Sequence, residues 1–463
     1  MLIKSLKPLG VGLAAVLFSG CTTVSLDEPR LCAPGETKTS TGVCIAEVNP
    51  ATGRAPAPAP TPAPRVMTEP EPAAPVQTAP VDLYGEPSQA TPPATPATQA
   101  PQTLPAPPDA QGVQDAQGVQ GTQGALSPAP AGTIRVALLL PMRSPSLGAA
   151  AESVRAGFMA SVDRDGAGFQ TDLIATGDDP AETVDAYARA AATHDLIVGP
   201  LARPAVDALV SSGKVTRPTI LLNHPEQTAQ LPSLALEAGL SLEDEARQSA
   251  EWAAHEFPRG RALILTGNAA WAQRAAAAFE ARWSELGHSS QRVSLPSSDG
   301  RIEPSSVAML RTRLGADAPD LLFSALDLPE LSQVRAQTGG AIPFYGIGPS
   351  NPGRGAGMGR SVLNGLRVVD VPWLVQPDNP AVMVYPRPAD QDQPLYMGRL
   401  YALGIDAFLV AHELALHPGS AFRIDGVTGR LSVDAGAQRP RLQRREATAV
   451  YHDGNFDTVD QGR

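Results

Sequence analysis

From residue 134 onward, short apolar runs alternate with amphipathic stretches of helical length, and this alternation limits the possible folds more than any other feature. The first run, IRVALLL at 134–140, is typical of a strand that is buried on both faces, and Pro141 ends it. Val154, Phe158 and Val162 then recur at helical spacing. Apolar strands that alternate with helices predict parallel sheets covered by helices on both faces.

The alternation continues in two successive series, which indicates two lobes. Strands are predicted at 134–140, 171–175, 196–199, 219–222, 262–266, 292–295 and 320–324. Helices are predicted at 149–163, 181–193, 205–212, 242–257, 269–286, 304–314, 328–337 and 396–417. The part of the chain that follows residue 132 has about 330 residues, which suits two domains of ordinary size.

Residues 50–132 have a different composition, in which proline, alanine, threonine and glutamine dominate. Positions 50–130 hold 20 of the 47 prolines, and Tyr84 is their one aromatic residue. Such a stretch cannot bury enough apolar surface to offset the chain entropy lost on folding, so we expect a disordered tether. A passive spacer is the default interpretation, and a PxxP-type ligand segment is the alternative.

The first 20 residues are arranged like a secretory signal. Two lysines precede an apolar run at 9–18, and Ser19 and Gly20 stand immediately before Cys21. The run is too short to span a bilayer. Small residues before a cysteine resemble the lipobox of bacterial lipoproteins, which implies acylation of Cys21, although Phe18 replaces the more usual leucine. An ordinary cleaved signal and a retained signal anchor are the alternatives.

Cys32 and Cys44 are the two remaining cysteines, and they flank a short polar loop. In a compartment that permits oxidation, a disulfide between them would stabilise the loop by roughly 3 kcal/mol on the chain-entropy model. Two free thiols are the alternative. The chain has no CxxC pair, so neither a redox motif nor a zinc ribbon is supported.

Several segments of the globular part carry a family resemblance. The opening strand with RAGF at 155–158 looks like the first strand and helix of type I periplasmic binding proteins. Three later segments resemble, in order, the LppC/LpoA-type penicillin-binding protein activators, and they are LNGLRVVDVPWL at 363–374, RLYALGIDAF at 399–408 and FRIDGVTGRLS at 422–432. The resemblance covers about 133–457.

The resemblance implies an α/β fold with two lobes, each a mostly parallel sheet with helices on both faces, after a disordered N-terminal region. The expected divisions are a signal peptide at 1–20, a short segment at 21–49, the tether at 50–132 and a binding-protein-like domain at 133–457. Lobe 1 is expected at 133–238 and 372–417, and lobe 2 at 239–371 and 418–457.

Members of this family are outer-membrane lipoproteins that stimulate bifunctional peptidoglycan synthases. The resemblance therefore implies a bifunctional penicillin-binding protein as partner and a lipid anchor in the outer membrane, with the globular domain in the periplasm. Thr22 after the cysteine also favours the outer membrane. The best-known members carry a helical, TPR-like domain where this chain has the proline-rich tether, so any contact made by that domain is in doubt here.

In a two-lobed α/β fold, small ligands bind between the lobes at the carboxyl ends of the strands. Candidate residues in the corresponding loops can hold a carboxylate or stack on a ligand, and they are Arg143, Ser144, Ser146, Asn223 and Trp271. The simpler interpretation is that they cap loops in a vestigial cleft.

No motif supports an enzyme, a cofactor or a metal. His412, Glu413 and His417 resemble a zincin motif, but the second histidine stands at i+5, whereas both ligands need i+4 to share a helix face. The net charge of −11 argues against a nucleic acid partner. The basic run at 439–445 is interpreted as a solvated strand edge, and pairing with an acidic partner is the alternative.

Two functions remain. The first is a non-enzymatic outer-membrane lipoprotein that binds and stimulates a peptidoglycan synthase. The second is a periplasmic lipoprotein that binds a solute such as an amino acid or an amide, since the same fold serves both purposes. The tether and Thr22 favour the first, because a receptor that feeds an inner-membrane permease gains little from retention at the outer membrane.

Overall fold

The computed structural model describes residues 36–38, 44–46, 132–226, 230–355, 360–388 and 393–459. The predicted signal, the predicted lipidation site Cys21, Cys32 of the predicted disulfide and the predicted tether therefore lie outside the described residues. Strands β1 (Glu36–Lys38) and β2 (Cys44–Ala46) form an antiparallel pair in which Lys38 is opposite Cys44. This pair belongs to a unit of its own, and all further elements belong to the globular domain.

The first lobe is built on a parallel sheet. Its described strands are β3 (Ile134–Leu140), β4 (Phe169–Ala175), β5 (Leu196–Val198), β6 (Thr219–Leu221) and β7 (Ala235–Glu237), in the order β4-β3-β5-β6-β7. The helices that follow the first, second and third of these strands are α1 (Gly148–Asp165), α2 (Pro180–Ala191) and α3 (Arg203–Ser211). Strand β3 lies inside the sheet between β4 and β5, and its last five residues are fully buried, as its unbroken apolar run predicts.

The second lobe is built on a larger, mixed sheet in the order β19-β18-β14-β13-β12-β8-β9. Its strands are β8 (Arg261–Thr266), β9 (Ser289–Ser294), β12 (Leu321–Ala325), β13 (Phe344–Gly346), β14 (Arg367–Asp370), β18 (Ala447–His452) and β19 (Asn455–Thr458). Its helices are α4 (Leu242–Glu256), α5 (Ala270–Glu285), α6 (Pro304–Ala316) and α7 (Leu328–Thr338), and a small hairpin adds β10 (Ser297–Ser298) and β11 (Arg301–Ile302). Strand β18 runs antiparallel to both of its neighbours, and the pairs among β8, β9, β12, β13 and β14 are parallel.

After β14 the chain returns to the first lobe. It forms the helices α8 (Pro372–Val375), α9 (Pro380–Met383) and α10 (Leu395–Leu416). An antiparallel sheet follows, made of β15 (Ala421–Asp425), β16 (Arg430–Asp434) and β17 (Arg441–Arg445). Short 3-10 turns stand at Gly348–Ser350 and Arg360–Leu363.

Helix α10 packs closely against α1 because glycines let the two backbones approach. A Cβ atom on Gly157 would lie 1.9 Å from the carbonyl oxygen of Tyr401, and one on Gly404 would lie 2.0 Å from that of Val154. The rings of Phe158 and Phe408 meet edge to face with centroids 5.3 Å apart. The core of the first lobe therefore includes α10, although α10 follows the second lobe in sequence.

The predicted fold class is confirmed, since the described domain has two α/β lobes with helices on the faces of mostly parallel sheets. The structure differs from the predicted division of the chain in one respect. Leu431 and Val433 of β16 are buried in the same core cluster as Phe408, so the sheet β15–β17 packs on the first lobe, whereas 418–457 was assigned to lobe 2. Alternation along the strands turns Phe422 and Ile424 toward the same core. In the described part of the chain, no helix has the length and apolar character needed to cross a membrane.

Candidate functional site

Arg143 follows β3, at the carboxyl edge of the first lobe, and its guanidinium is bound within that lobe. Its Nη1 donates to the carbonyl oxygen of Ala175 at 2.7 Å, and its Nη2 pairs with Glu182 in the first turn of α2. The same carboxylate accepts the backbone N–H of Gly177 at 3.2 Å. Arg143 thus links the loop after β3 to the loop after β4.

The other polar candidates of the first lobe also form local hydrogen bonds. The Oγ of Ser144 accepts the backbone N–H of Leu147 at 2.8 Å and lies 3.2 Å from the Oγ of Ser146. Asn223 follows β6; its Nδ2 donates to the carbonyl oxygen of Leu201 at 3.1 Å and its Oδ1 accepts the N–H of His224 at 2.9 Å. These contacts are those of loop caps.

Trp271 stands in the first turn of α5, and it is half-buried against the core formed by α4, α5 and the sheet of the second lobe. The structure therefore brings four of the five predicted residues to the carboxyl edge of the first lobe and places the fifth in the packing of the second. Their role in binding a ligand stays a prediction.

A group of buried polar residues that the sequence did not reveal lies where the chain passes between the lobes. It passes three times: at 238–241 between β7 and α4, at Val371 between β14 and α8, and at Glu446 between β17 and β18. We call these crossings the hinge. The hinge cluster consists of the buried or half-buried polar side chains around them, which are Glu245, Gln248, Asp370, Arg399, Asp406, Thr428, Arg444 and Glu446.

Arg399 of α10 connects the lobes at the centre of the cluster. Its Nη2 pairs with Glu245 in the first turn of α4, and its Nη1 pairs with Asp370 at the end of β14. The arginine side chain is 3% exposed and both carboxylates are fully buried. A guanidinium carried by the first lobe is therefore enclosed by the second, at the carboxyl ends of β13 and β14.

Backbone and amide donors complete the two carboxylate sites. The backbone N–H of Gly348 donates to Glu245 Oε2 at 2.7 Å, and the Nδ2 of Asn351 donates to Asp370 Oδ2 at 2.6 Å. A Cβ on Gly348 would lie 2.0 Å from Arg399 Nη1, so a larger residue here would displace the guanidinium. These donors hold the carboxylates in place for the arginine.

Burial controls the protonation of the carboxyl groups at the hinge. Burial raises the pKa of Glu245 to about 7; the cation of Arg399 acts in the opposite direction, and the nearby charge of Asp370 adds to the rise. Burial, reinforced by Glu245, also raises the pKa of Glu446 well above its ordinary value. Near neutral pH, the charge of this region is therefore sensitive to small changes in its surroundings.

Arg444 of β17 ties the first crossing to the turn before β16. Its Nη1 and Nη2 donate to the carbonyl oxygens of Gly239 and Ala238, both at 2.7 Å, and its Nε donates to Thr428 Oγ1 at 2.9 Å. Gln248 of α4 links the third crossing to the second lobe: its Oε1 accepts the N–H of Glu446 at 2.9 Å. Each crossing thus has at least one side chain that holds its backbone.

Asp406 of α10 has a structural role, which its contacts with the turn before β16 define. Its Oδ1 accepts the N–H of Val427 at 2.9 Å, and its Oδ2 accepts the N–H of Thr428 at 2.8 Å. Burial raises the pKa of this carboxyl group, and the hydrogen bonds from Thr428 and Val427 oppose the rise. The turn between β15 and β16 is therefore fastened to α10.

A groove of about 860 Å³ opens beside the hinge. One wall is α4, with Gln248 and Glu251, and the other is formed by α8, α9 and the turn between β15 and β16. The floor comes from β18 and the end of β19. The groove is bordered by both lobes, so a molecule that occupies it contacts both.

Sequence reasoning missed the hinge cluster, although one signal for it was present. The three segments that carry the family resemblance contain Asp370 in the first, Arg399 and Asp406 in the second, and Thr428 in the third. Taken singly, each residue is ordinary in its segment. In the first two segments the polar residue stands in a largely apolar stretch, where it is costly to bury unless a partner is present.

Comparisons with known proteins give a consistent family. A family model described as "LppC putative lipoprotein" matches residues 129–304 and 325–454. A protein of Pasteurella multocida (strain Pm70) named penicillin-binding protein activator LpoA is 25% identical over 331 residues, which is 70% of this chain and 55% of that protein. One of the same name from Edwardsiella piscicida is 27% identical over 304 residues, or 57% of this chain and 42% of that protein. The chain spans about half the length of these curated relatives.

Solved structures share the fold. Full-length LpoA from Haemophilus influenzae matches with a TM-score of 0.57 and 21% identity, over 71% of this chain and 59% of that one. The C-domain of LpoA from the same organism, described as a regulator of PBP1A, matches with a TM-score of 0.56 and 20% identity. The match covers 70% of this chain and 100% of that one. A Chromobacterium violaceum protein described as a "putative branched-chain amino acid ABC transporter" matches with a TM-score of 0.58 and 32% identity. The match covers 69% of this chain and 100% of that one.

Proposed function

The chain belongs to the LppC lipoprotein family, and from this premise we propose that it binds a peptidoglycan synthase, a bifunctional penicillin-binding protein, and stimulates it without being an enzyme itself. The observation that carries the proposal is the family match across both lobes, at 129–304 and 325–454. The names of its relatives describe activators of penicillin-binding proteins, and one structural neighbour is described as a regulator of PBP1A. We transfer that role to this chain.

The proposed mechanism is a shift of population. A synthase that exchanges between a less active and a more active conformation is stimulated when the lipoprotein binds the second more tightly than the first. The factor of stimulation is limited by the ratio of the two affinities. No catalytic group of the lipoprotein is needed for this effect.

The hinge supports a protein that presents a fixed surface. A solute receptor closes by rotating its lobes about the crossings, and here that rotation works against the buried contacts of Arg399 with Glu245 and Asp370. Leaving one member of a buried ion pair in place without its partner costs about 3–5 kcal/mol. The carboxyl ends of β13 and β14, where a solute binds in such folds, are also filled by the protein's own guanidinium.

We extend the proposal to the N-terminal region from sequence alone. Acylation of Cys21 anchors the chain in the outer membrane, and the tether at 50–132 lets the domain reach a synthase in the periplasm. A disulfide between Cys32 and Cys44 closes the loop between them. Intact mass of the protein isolated from its own membranes, with and without reductant, tests the acyl chains and the disulfide together.

Glycan polymerisation by the purified synthase tests the main proposal. The full-length lipoprotein in detergent is titrated into the reaction with the lipid-linked disaccharide precursor as substrate, and we expect the rate to rise to a plateau that matches the binding isotherm. Heat-denatured lipoprotein in the same detergent is the control. Absence of both binding and stimulation contradicts the proposal.

Solute binding is the second candidate; a Chromobacterium violaceum protein that is 32% identical suggests it by its description, and the names of the curated relatives favour it less. In this case Arg143, Ser144, Ser146, Asn223 and Trp271 provide the cleft contacts. Thermal unfolding in the presence of amino acids and amides separates the two functions. A ligand at 100 times its Kd stabilises a receptor by about 2.7 kcal/mol, whereas a protein that docks only on a synthase gains nothing.

A further inference from the structure

The outer face of the sheet β15–β17 is exposed and rich in arginine. Along each strand, exposed residues alternate with residues that pack on the first lobe, so one face of the sheet points away from the core. We call this the arginine face. Its outward residues are Arg423, Asp425, Arg430, Ser432, Asp434, Arg441, Gln443 and Arg445.

Two arginines of this face are available for a partner. Arg430 lies 3.4 Å from Asp425, and Arg445 pairs with Glu251 of α4 at 2.5 Å. Within the residues that the structure describes, neither Arg423 nor Arg441 forms an ion pair with an acidic side chain. Their guanidinium groups keep their donors for an incoming acceptor.

The face is a positive region on an acidic protein. The face itself has four arginines and two aspartates, whereas the whole chain has 36 basic and 47 acidic residues. An isolated positive region on a negative molecule orients an acidic partner during encounter. Arginine is also well suited to bind carboxylates, since its planar guanidinium donates two parallel hydrogen bonds to one carboxylate.

The arginine face continues into the groove beside the hinge. Arg430 and Arg445 border both, and the groove adds apolar surface from Pro372, Pro380 and Val459. A polar, charged rim next to partly apolar surface is the usual composition of a protein interface. A polyanion such as nucleic acid fits less well, because the two aspartates of the face repel it and the chain as a whole is negative.

We propose that the arginine face is the docking surface for a carboxylate-rich segment of a protein partner. Carboxylates of that segment bind Arg423 and Arg441, and the segment extends past Arg430 into the groove. The inference rests on the proposed function, since it identifies the partner with the synthase. Because the groove is bordered by both lobes, docking there also holds the lobes in one relative position.

Charge reversal tests the surface. The double variant Arg423→Glu/Arg441→Glu is compared with Arg189→Glu/Arg311→Glu, which makes the same change in net charge at exposed arginines of α2 and α6. Full-length lipoprotein in detergent is bound to immobilised synthase at low and at physiological salt. We expect the first variant to raise the Kd at least about tenfold and to lose most of the salt dependence of association. The control stays within about twofold of the unaltered protein.

Each outcome has a distinct meaning. Equal binding of both double variants and the unaltered protein overturns the docking surface and leaves the proposed function standing. Failure of the unaltered protein to bind contradicts the proposed function, and the docking surface falls with it. If circular dichroism shows that the charge reversal disturbs folding, Arg423→Gln/Arg441→Gln removes the charges without adding repulsion. That variant still has to weaken binding about threefold or more, and unchanged binding overturns the proposal.

Discussion

Replacing Arg399 by methionine tests whether the hinge cluster holds the lobes together. Methionine keeps most of the length of the side chain and removes the charge, so Glu245 and Asp370 lose their shared cation while remaining buried. Breaking a buried pair by removing one partner costs about 3–5 kcal/mol of unfolding free energy. We expect Arg399→Met to lose that amount near pH 7.5.

The unfolding free energy that Arg399→Met loses increases with pH. The pKa of Glu245 rises from 4.5 to about 7 in the folded protein, so the folded state holds a proton that the unfolded state releases between these values. Its favourable contribution is complete below about pH 4.5 and is lost as the pH rises through 7, on the order of 3 kcal/mol in total. Arg399 opposes this rise in pKa, so its removal makes the loss at high pH larger. Arg399→Met therefore costs less at pH 5 than at pH 7.5.

Urea unfolding monitored by tryptophan fluorescence and circular dichroism measures both effects. Arg155→Met is the matched control, since Arg155 forms an exposed pair with Glu152 that contributes about 0–1 kcal/mol. Adding Glu245→Gln to Arg399→Met removes one unpaired carboxylate, so the double variant recovers part of the lost stability. The reasoning is refuted if Arg399→Met costs less than about 1 kcal/mol at pH 7.5, or if the double variant is less stable than the single one.

Two further predictions follow from single positions. Glu245→Gln reduces the dependence of stability on pH between about 4.5 and 7, to which Glu446 also contributes, whereas Glu285→Gln, at an exposed position, preserves it. An unchanged slope of the urea midpoints across this range would contradict the role of Glu245. Gly404→Ala destabilises the folded protein by about 1–3 kcal/mol, because its Cβ would lie 2.0 Å from the carbonyl oxygen of Val154. Gly315→Ala, with open space around it, is the control and is neutral or stabilising. Equal melting temperatures for the two variants would contradict the close packing of α10 on α1.

The regular elements could be predicted because they depend on local pattern. The apolar run at 134–140 is strand β3, and the spacing at 149–163 and 396–417 gives helices α1 and α10. Patterns of this kind extend over one element and need no knowledge of its neighbours. The sequence pattern does not predict the antiparallel strands β18 and β19, which join the edge of a parallel sheet. Antiparallel neighbours need no crossover helix between them, so the alternation of strand and helix that indicates the other strands is absent here.

The placement of the sheet β15–β17 and the hinge cluster could not be predicted in the same way. Both depend on which lobe a segment rejoins after a crossing, and that choice is made by contacts between residues far apart in sequence. Glu245 and Arg399 are separated by 154 positions. In the sequence, Glu245 is one of three acidic residues in the first turn of α4, a pattern that the helix dipole explains without any partner.

The hinge cluster and the arginine face together favour a rigid scaffold over a closing clamp. A clamp needs crossings that deform at little cost, but here Arg399 and Arg444 fix the crossings through buried contacts. A scaffold needs a surface whose parts keep their relative positions, and the groove bordered by both lobes has this property only while the hinge holds. Weakening the hinge by Arg399→Met should therefore weaken synthase binding as well as stability, although Arg399 is buried and does not itself line the groove. A variant that loses stability while binding the synthase with unchanged affinity would separate the two features and leave the hinge a purely structural device.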